Sequence, residues 1–229
     1  MRVENVSKTF ITKKVMVEAV KNATFSLDEG GVAVIYGPSG SGKSVLLNIM
    51  AGFEEPDSGY VRYGGVDLYS LGWRGMNRFR RDYIGYCTQR DILLYRLSVR
   101  DNIALPLLIR GYSAREAYLE AGSIAETLGI GYALDRPAYT LSGGEQRRVV
   151  LARTLIIDAE ILLIDEPTSG LDGDNAENVK RVIARRVEET GATTVISTHD
   201  RRFLDIADKV FKMESGVLSE ADPMDIGKE

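Results

Sequence analysis

Gly37-Pro38-Ser39-Gly40-Ser41-Gly42-Lys43-Ser44 is the stretch whose reading decides the fold. It has the spacing of a phosphate loop: Gly, four residues, then Gly-Lys-Ser. Directly before it lies Gly31-Val32-Ala33-Val34-Ile35-Tyr36, a short apolar run that predicts a buried strand. Directly after it lies Val45-Leu46-Leu47-Asn48-Ile49-Met50-Ala51, which predicts a helix stopped by Gly52. Without Cβ atoms, Gly37, Gly40 and Gly42 let the loop curl and aim several N–H groups at one point. The helix adds its unpaired first N–H groups and the positive end of its dipole. The expected product is an anion cradle. Lys43 is expected to reach the β- and γ-phosphates of a nucleotide, and the Ser44 hydroxyl to ligate Mg2+. The competing reading, a glycine-rich turn without a ligand, explains the eight residues but not their strand and helix flanks.

The chain has 229 residues, 44% of them hydrophobic, which suits one large α/β domain or a core with one inserted subdomain. Net charge is −4 with no strongly basic block, so no nucleic-acid partner is expected. Cys87 is the single cysteine, which excludes a disulfide framework and fits a reducing compartment. No stretch approaches the ~20 apolar residues of a membrane helix, and the first residues lack the apolar core of a signal peptide. A cytoplasmic chain is expected, with any membrane span supplied by another chain.

Residues 2–10 and 15–27 alternate apolar and polar and predict antiparallel strands, with Phe10 and Phe25 as core residues. Pro56-Asp57-Ser58-Gly59 is a turn, and residues 60–66 predict one further strand. From about residue 68 helical signals take over. Arg74, Arg78, Arg80 and Arg81 around Phe79 read as a solvated helix face. Residues 83–87 read as a strand that delivers Thr88-Gln89. Ser98 with Asp101, and Ser113 with Glu116, are helix-start capping pairs, and residues 114–128 predict an amphipathic helix stopped by Gly129. The segment entered near Gln89 and left near Leu141 is thus expected to be mainly helical.

Leu141-Ser142-Gly143-Gly144-Glu145-Gln146 opens a helix running to about Ile157, with Ser142 and Glu145 as a capping-box pair. Each glycine inside a helix costs about 1 kcal/mol relative to alanine. Two at the start are explained if an anion approaches the bare helix end. A simple cap and turn explains the stretch equally well when it is taken alone.

Ile161-Leu162-Leu163-Ile164 lacks alternation and predicts a strand covered on both faces, as in a parallel sheet. Asp165 and Glu166 follow at its C-terminal end, where ligands bind in open α/β sheets. Asp165 is expected to hold Mg2+, directly or through water, and Glu166 to polarise the water that attacks the γ-phosphate. Ser169-Gly170-Leu171-Asp172 is a turn into a helix over residues 175–189, capped by Asp172 or Asp174. Residues 193–197 predict another buried strand, placing His199, the single histidine, at the same sheet edge as a γ-phosphate contact. Residues 205–212 and 216–220 predict a closing hairpin, and 221–229 an acidic tail.

At this point the chain resembles the ATP-binding-cassette ATPases over nearly its whole length. Six motifs stand in that family's order: residues 37–44 (phosphate loop), Gln89, residues 141–146 (signature), residues 161–166 (carboxylate strand), Ser169-Gly170-Leu171-Asp172 and His199. The resemblance implies a phosphate-loop NTPase core with a mainly parallel sheet, an N-terminal antiparallel β subdomain and an inserted α-helical subdomain. Residues 1–88 and 141–229 would form the RecA-like core and 89–140 the helical part of a single nucleotide-binding domain. It also implies a Mg2+-dependent ATPase in which two cassettes, most simply identical copies, pack head to tail. ATP would lie between residues 37–45 of one, from Gly37 to Val45, and Ser142, Gly143, Gly144 and Glu145 of the other. Phe10 would stack on adenine, in place of the family's more usual Tyr. Gln89 would sense Mg2+ or the attacking water.

Val45 stands where Thr is common, Cys87-Thr88 where an apolar-aromatic pair is usual, and Ala159 where Pro is common, and none of these removes a catalytic group. Asn102-Ile103-Ala104-Leu105-Pro106-Leu107 and residues 162–172 are similar to the lipoprotein-releasing, macrolide-exporter and cell-division branch. That implies a separate membrane permease at the cytoplasmic face, docking a short helix near residues 89–95, with Leu93, Leu94 and Tyr95 as groove candidates or plain core. An ATP-switched module that moves a membrane partner's shape without transport fits the sequence as well.

Overall fold

A computed structural model describes residues 1–11, 15–90, 92–224 and 226. Of the expected acidic tail, residues 225 and 227–229 fall outside them. Among the described residues ten strands join in the order β5-β4-β1-β2-β10-β9-β3-β8-β7-β6. The first part is antiparallel: β1 (Arg2–Ile11) pairs with β2 (Met16–Ser26) and with β4 (Ser58–Tyr63), which turns into β5 (Val66–Asp67). The second is parallel: β3 (Val32–Tyr36), β6 (Ile84–Cys87), β7 (Ile161–Asp165), β8 (Thr193–Thr198) and β9 (Lys209–Glu214). Here β10 (Val217–Glu220) runs back along β9 and touches β2 through Val217 and Lys21.

The unbroken apolar runs have the burial they predict. Every residue of β7 and β8 is buried, and side chains sort by parity onto the two faces. Val34, Leu162, Ile164 and Ile196 pack with α3 (Val99–Ile109), α4 (Ala114–Thr127), α5 (Gly143–Leu155) and α6 (Gly173–Thr190). Ala33, Ile35, Leu163 and Val195 face the opposite way, onto α1 (Lys43–Met50) and the antiparallel strands. None of the helices, α2 (Gly72–Tyr83) included, is long and apolar enough to cross a membrane among the described residues.

Three expectations change. The single strand over residues 60–66 is two strands, because Gly64 and Gly65 take φ of 53° and 85° and close a two-residue hairpin with Tyr63 opposite Val66. The strand expected from residue 205 begins at Lys209, since Arg201–Ile206 wind into a 3-10 helix on the Asp200 cap. Phe10 is not core: it is 38% exposed while Phe25 is 6% exposed. Of the four arginines on α2, Arg80 is half-buried and donates to the Gly52 carbonyl at 2.6 Å.

Candidate nucleotide site

Four parallel strands end in register along one sheet edge: Tyr36 opposite Thr198, Asp165 opposite Ser197, and Cys87 opposite Ile164. The residues that follow, namely the phosphate loop, Gln89, Glu166 and His199, are thereby gathered from distant parts of the chain. A cavity of about 560 Å3 opens there. Ser39, Gly40, Gly42, Lys43, Ser44, Val45, Gln89 and Glu166 line it.

The loop's glycines serve two different ends. Gly40, at φ 80°, has open space where a Cβ would stand, so its need is conformational. Gly37 and Gly42 allow close packing, and Gly42 also needs its φ of 109°: a Cβ would lie 2.2 Å from the Met213 carbonyl oxygen and 2.1 Å from that of Ala19, respectively. Gly42 is also the N-cap of α1, at φ 109°, with no side chain capping the helix and no acid in its first turn. The first N–H groups are left for an outside anion. Ser41 Oγ is buried with no hydrogen-bond partner among the described residues. Lys43 folds back over the loop and donates to the carbonyls of Gly37 at 2.7 Å and Pro38 at 3.0 Å.

Glu166 is the pivot. Its backbone is left-handed, φ 49°, a conformation that costs a non-glycine residue roughly 1–2 kcal/mol. The turn carries the side chain off the end of β7 into the cavity wall, while its N–H donates to the Ser197 carbonyl at 2.8 Å. One carboxylate oxygen lies 3.3 Å from Lys43 Nζ and the other 2.8 Å from His199 Nδ1. The imidazole itself is largely exposed, at 61%. A buried carboxylate between a cation and an open imidazole can orient a proton-bearing nucleophile.

Asp165 sits beneath, buried. Burial pushes its carboxyl above the ordinary value, and hydrogen bonds from Ser197 and Ser44 pull it back. Ser44 also stands 3.4 Å from Gln89 Oε1. A hydroxyl, a carboxylate and an amide oxygen thus converge. That donor set is all oxygen, the kind a small hard cation takes, and a cation would relieve the buried carboxyl.

Ten predicted residues are not part of the cavity lining: Gly37, Pro38, Ser41, Asp165 and His199 belong to the loop and strand ends around it, whereas Ser142, Gly143, Gly144, Glu145 and Phe10 stand apart. Ser142, Gly143, Gly144 and Glu145 form the start of α5 elsewhere, where Ser142 accepts from the Glu145 N–H at 3.4 Å and the Glu145 carboxylate reaches back to the Ser142 N–H at 2.7 Å. Ser142 and Gly143 are exposed and Gly143 has open space at its Cβ position, but a Cβ on Gly144 would lie 3.2 Å from Leu171, so that glycine also serves the fold. Phe10 is absent from the wall too, though its cross-strand partner Val17 is part of it.

Sequence reasoning missed the contribution of β2, whose Met16, Val17, Glu18 and Ala19 close one side of the cavity. Alternation identified the strand, and nothing local says which loop it will cover. It also missed Arg147, buried in α5 beside a solvent-reaching Arg148, a pair that looks alike in sequence. The described residues of 89–95, expected to form a docking groove, divide between core and surface. Leu93 is buried in the core, Leu94 and Tyr95 are outside the cavity, and Asp91 falls outside the described residues. A cavity of about 510 Å3 is instead floored by Phe53, Tyr86, Leu105, Pro106 and Ile109 and rimmed by Arg80, Arg81, Arg110 and Arg153.

Comparison with known proteins agrees with this geometry. The family model described as ABC transporter matches residues 20–169. The lipoprotein-releasing system ATP-binding protein LolD of Hahella chejuensis is 33% identical over 97% of this chain and 96% of its own length. The macrolide export ATP-binding/permease protein MacB 2 of Yersinia pestis is 33% identical over the whole chain, which spans 34% of that longer protein. An ATP-binding cassette solved as a dimer in a post-hydrolysis state, bound to ADP and Pi, superposes with a TM-score of 0.89 at 30% identity, covering 96% of this chain and 97% of that one. A strand-loop-helix phosphate cradle, a carboxylate edge beside it and a capped glycine helix tip set apart from both are therefore this chain's version of a shared design: it belongs to the ABC transporter ATP-binding family.

Proposed function

We propose that this chain binds and hydrolyses ATP with Mg2+ as one half of a head-to-tail dimer, and that it drives a separate membrane permease from the cytoplasmic face. One observation carries the reading: the cavity holding Lys43, Ser44, Gln89 and Glu166 is built without any residue of the α5 tip. The exposed Ser142 and Gly143 then serve a second copy's nucleotide, and the similar solved cassette is itself a dimer.

In this reading the loop N–H groups and Lys43 bind the β- and γ-phosphates, and the open start of α1 adds its dipole. Ser44, Asp165 and Gln89 would hold Mg2+, which neutralises phosphate charge when bound. Glu166 orients the attacking water and accepts its proton, with His199 fixing the carboxylate and facing the γ-phosphate. Val17 and Phe10 provide an apolar seat for the base. Residues 1–88 and 141–229 act as the core that holds nucleotide, and 89–140 as the helical part that meets the permease. The arginine-rimmed groove between them suits a short amphipathic helix carrying acids. LolD and MacB are named for lipoprotein release and macrolide export, which favours transport as the output.

The test is complementation. Ser142→Arg and Lys43→Ala copies are each expected to be inactive. Mixed, they form heterodimers with one intact composite site, and ATPase activity returns. A mixture as silent as its components would rule out the head-to-tail arrangement.

A further inference from the structure

Arg147 lies inside α5, one turn from the tip, and its side chain is 1% exposed. Its guanidinium donates to main-chain carbonyls from two other segments. Nη1 donates to Thr88 O at 2.6 Å, next to Gln89. Nη2 donates to Asp165 O and, at 2.8 Å, to Glu166 O, and Nε donates to Pro167 O at 3.3 Å. Three consecutive carbonyls therefore face one planar fork, across the left-handed turn at Glu166. Only arginine presents several fixed N–H donors in one plane; lysine offers a single rotating ammonium and glutamine two donors on a shorter stem.

We propose that Arg147 is a positioning residue for hydrolysis: it clamps the main chain of Glu166 and of Thr88-Gln89 against the signature helix. This rests on the reading of Glu166 as the water-orienting group. Glu166 keeps an unfavourable backbone conformation, and of its side-chain partners Lys43 and His199 would turn to phosphate when nucleotide binds, leaving only the Thr198 hydroxyl at 3.5 Å. The carbonyl clamp is independent of nucleotide, so the carboxylate keeps its place when those partners leave. Because the clamp starts from α5, it also links the helix tip to the catalytic carboxylate of the same chain.

The experiment compares Arg147→Gln, Arg147→Lys and Glu166→Gln in the full chain, measuring ATP affinity, melting temperature and kcat per titrated nucleotide site. Arg147→Gln is expected to lower kcat about tenfold or more, the scale of a small misplacement of a catalytic group, with ATP affinity within about twofold of the parent. Arg147→Lys recovers part of the loss. A merely structural role would lower the melting temperature and the number of competent sites while leaving kcat per site unchanged, and that result overturns the proposal. If the Gln variant does not fold, Arg147→Lys is judged by the same two quantities. Lost turnover in Glu166→Gln beside normal kcat in the Arg147 variants overturns the proposal alone. Normal turnover in Glu166→Gln removes the underlying reading and the proposal with it.

Discussion

Lys43 Nζ lies 3.3 Å from Glu166 Oε1, with both side chains all but buried. On the proposed reading, the phosphate-binding cation and the water-orienting carboxylate are paired with each other before nucleotide arrives. A triphosphate would then draw Lys43 away and free the carboxylate for water. Binding and activation of the base become one event, since the same ion pair cannot serve both.

Glu166→Gln removes the competing anion and the proton acceptor together. ATP affinity is expected to rise by a few-fold and turnover to fall by about 100-fold or more, the usual weight of a general base. ATP-bound dimer should accumulate on size exclusion. Turnover close to the parent's would take Glu166 out of the reaction.

Lys43→Ala leaves Glu166 buried against His199 and the Thr198 hydroxyl, with no lysine beside it. Nucleotide affinity is expected to drop, and the nucleotide-free protein to lose about 2–4 kcal/mol as a buried carboxylate loses its cation. Denaturant unfolding without ATP measures this; unchanged stability means the pair contributes nothing in the free protein.

Ser142 caps α5 and stands exposed at its tip. Ser142→Ala should cost about 1 kcal/mol as a lost cap and keep most turnover. Ser142→Arg suffers the same loss but should abolish hydrolysis, because its bulk meets the partner's nucleotide, while a lone copy still binds ATP. Failure of the lone copy to bind would place Ser142 in its own pocket.

Acid should release the capping box. The Tyr132 hydroxyl, 2.5 Å from Glu145, and then Ser142 hold the Glu145 carboxyl down to about 2, below its ordinary 4.5. The folded value is the lower one, so this stabilisation is complete above about pH 4.5 and fades as pH falls towards 2. Tyr132→Phe is expected to move acid unfolding to higher pH, followed by circular dichroism. An unmoved midpoint would show that the hydroxyl does not hold the carboxylate.

Much of the site was legible locally because its parts are local. Gly40 needs its φ whatever surrounds it, and Ser142 with Glu145 closes a cap within four residues. The fully buried β7 announces itself by lacking alternation. Phe10 misled, because an aromatic in an alternating strand reads as core unless the strand is known to end at a ligand's edge. Gly37 and Gly42 carry a further demand: their neighbours are the carbonyls of Met213 and Ala19, which no local window contains.

The sequence by itself determined the order of strands and helices, the phosphate cradle and the carboxylates beside it, since these follow from periodicity, glycine freedom and capping within a few residues. Only the tertiary structure decided that Glu166 stands between Lys43 and His199, that β2 walls the cavity, that Arg147 grips Thr88 and three carbonyls around Glu166, and that the α5 tip points elsewhere. Those are pairings between residues far apart in the chain, set by parallel register and by which sheet face each helix covers, and no property of either partner alone encodes them.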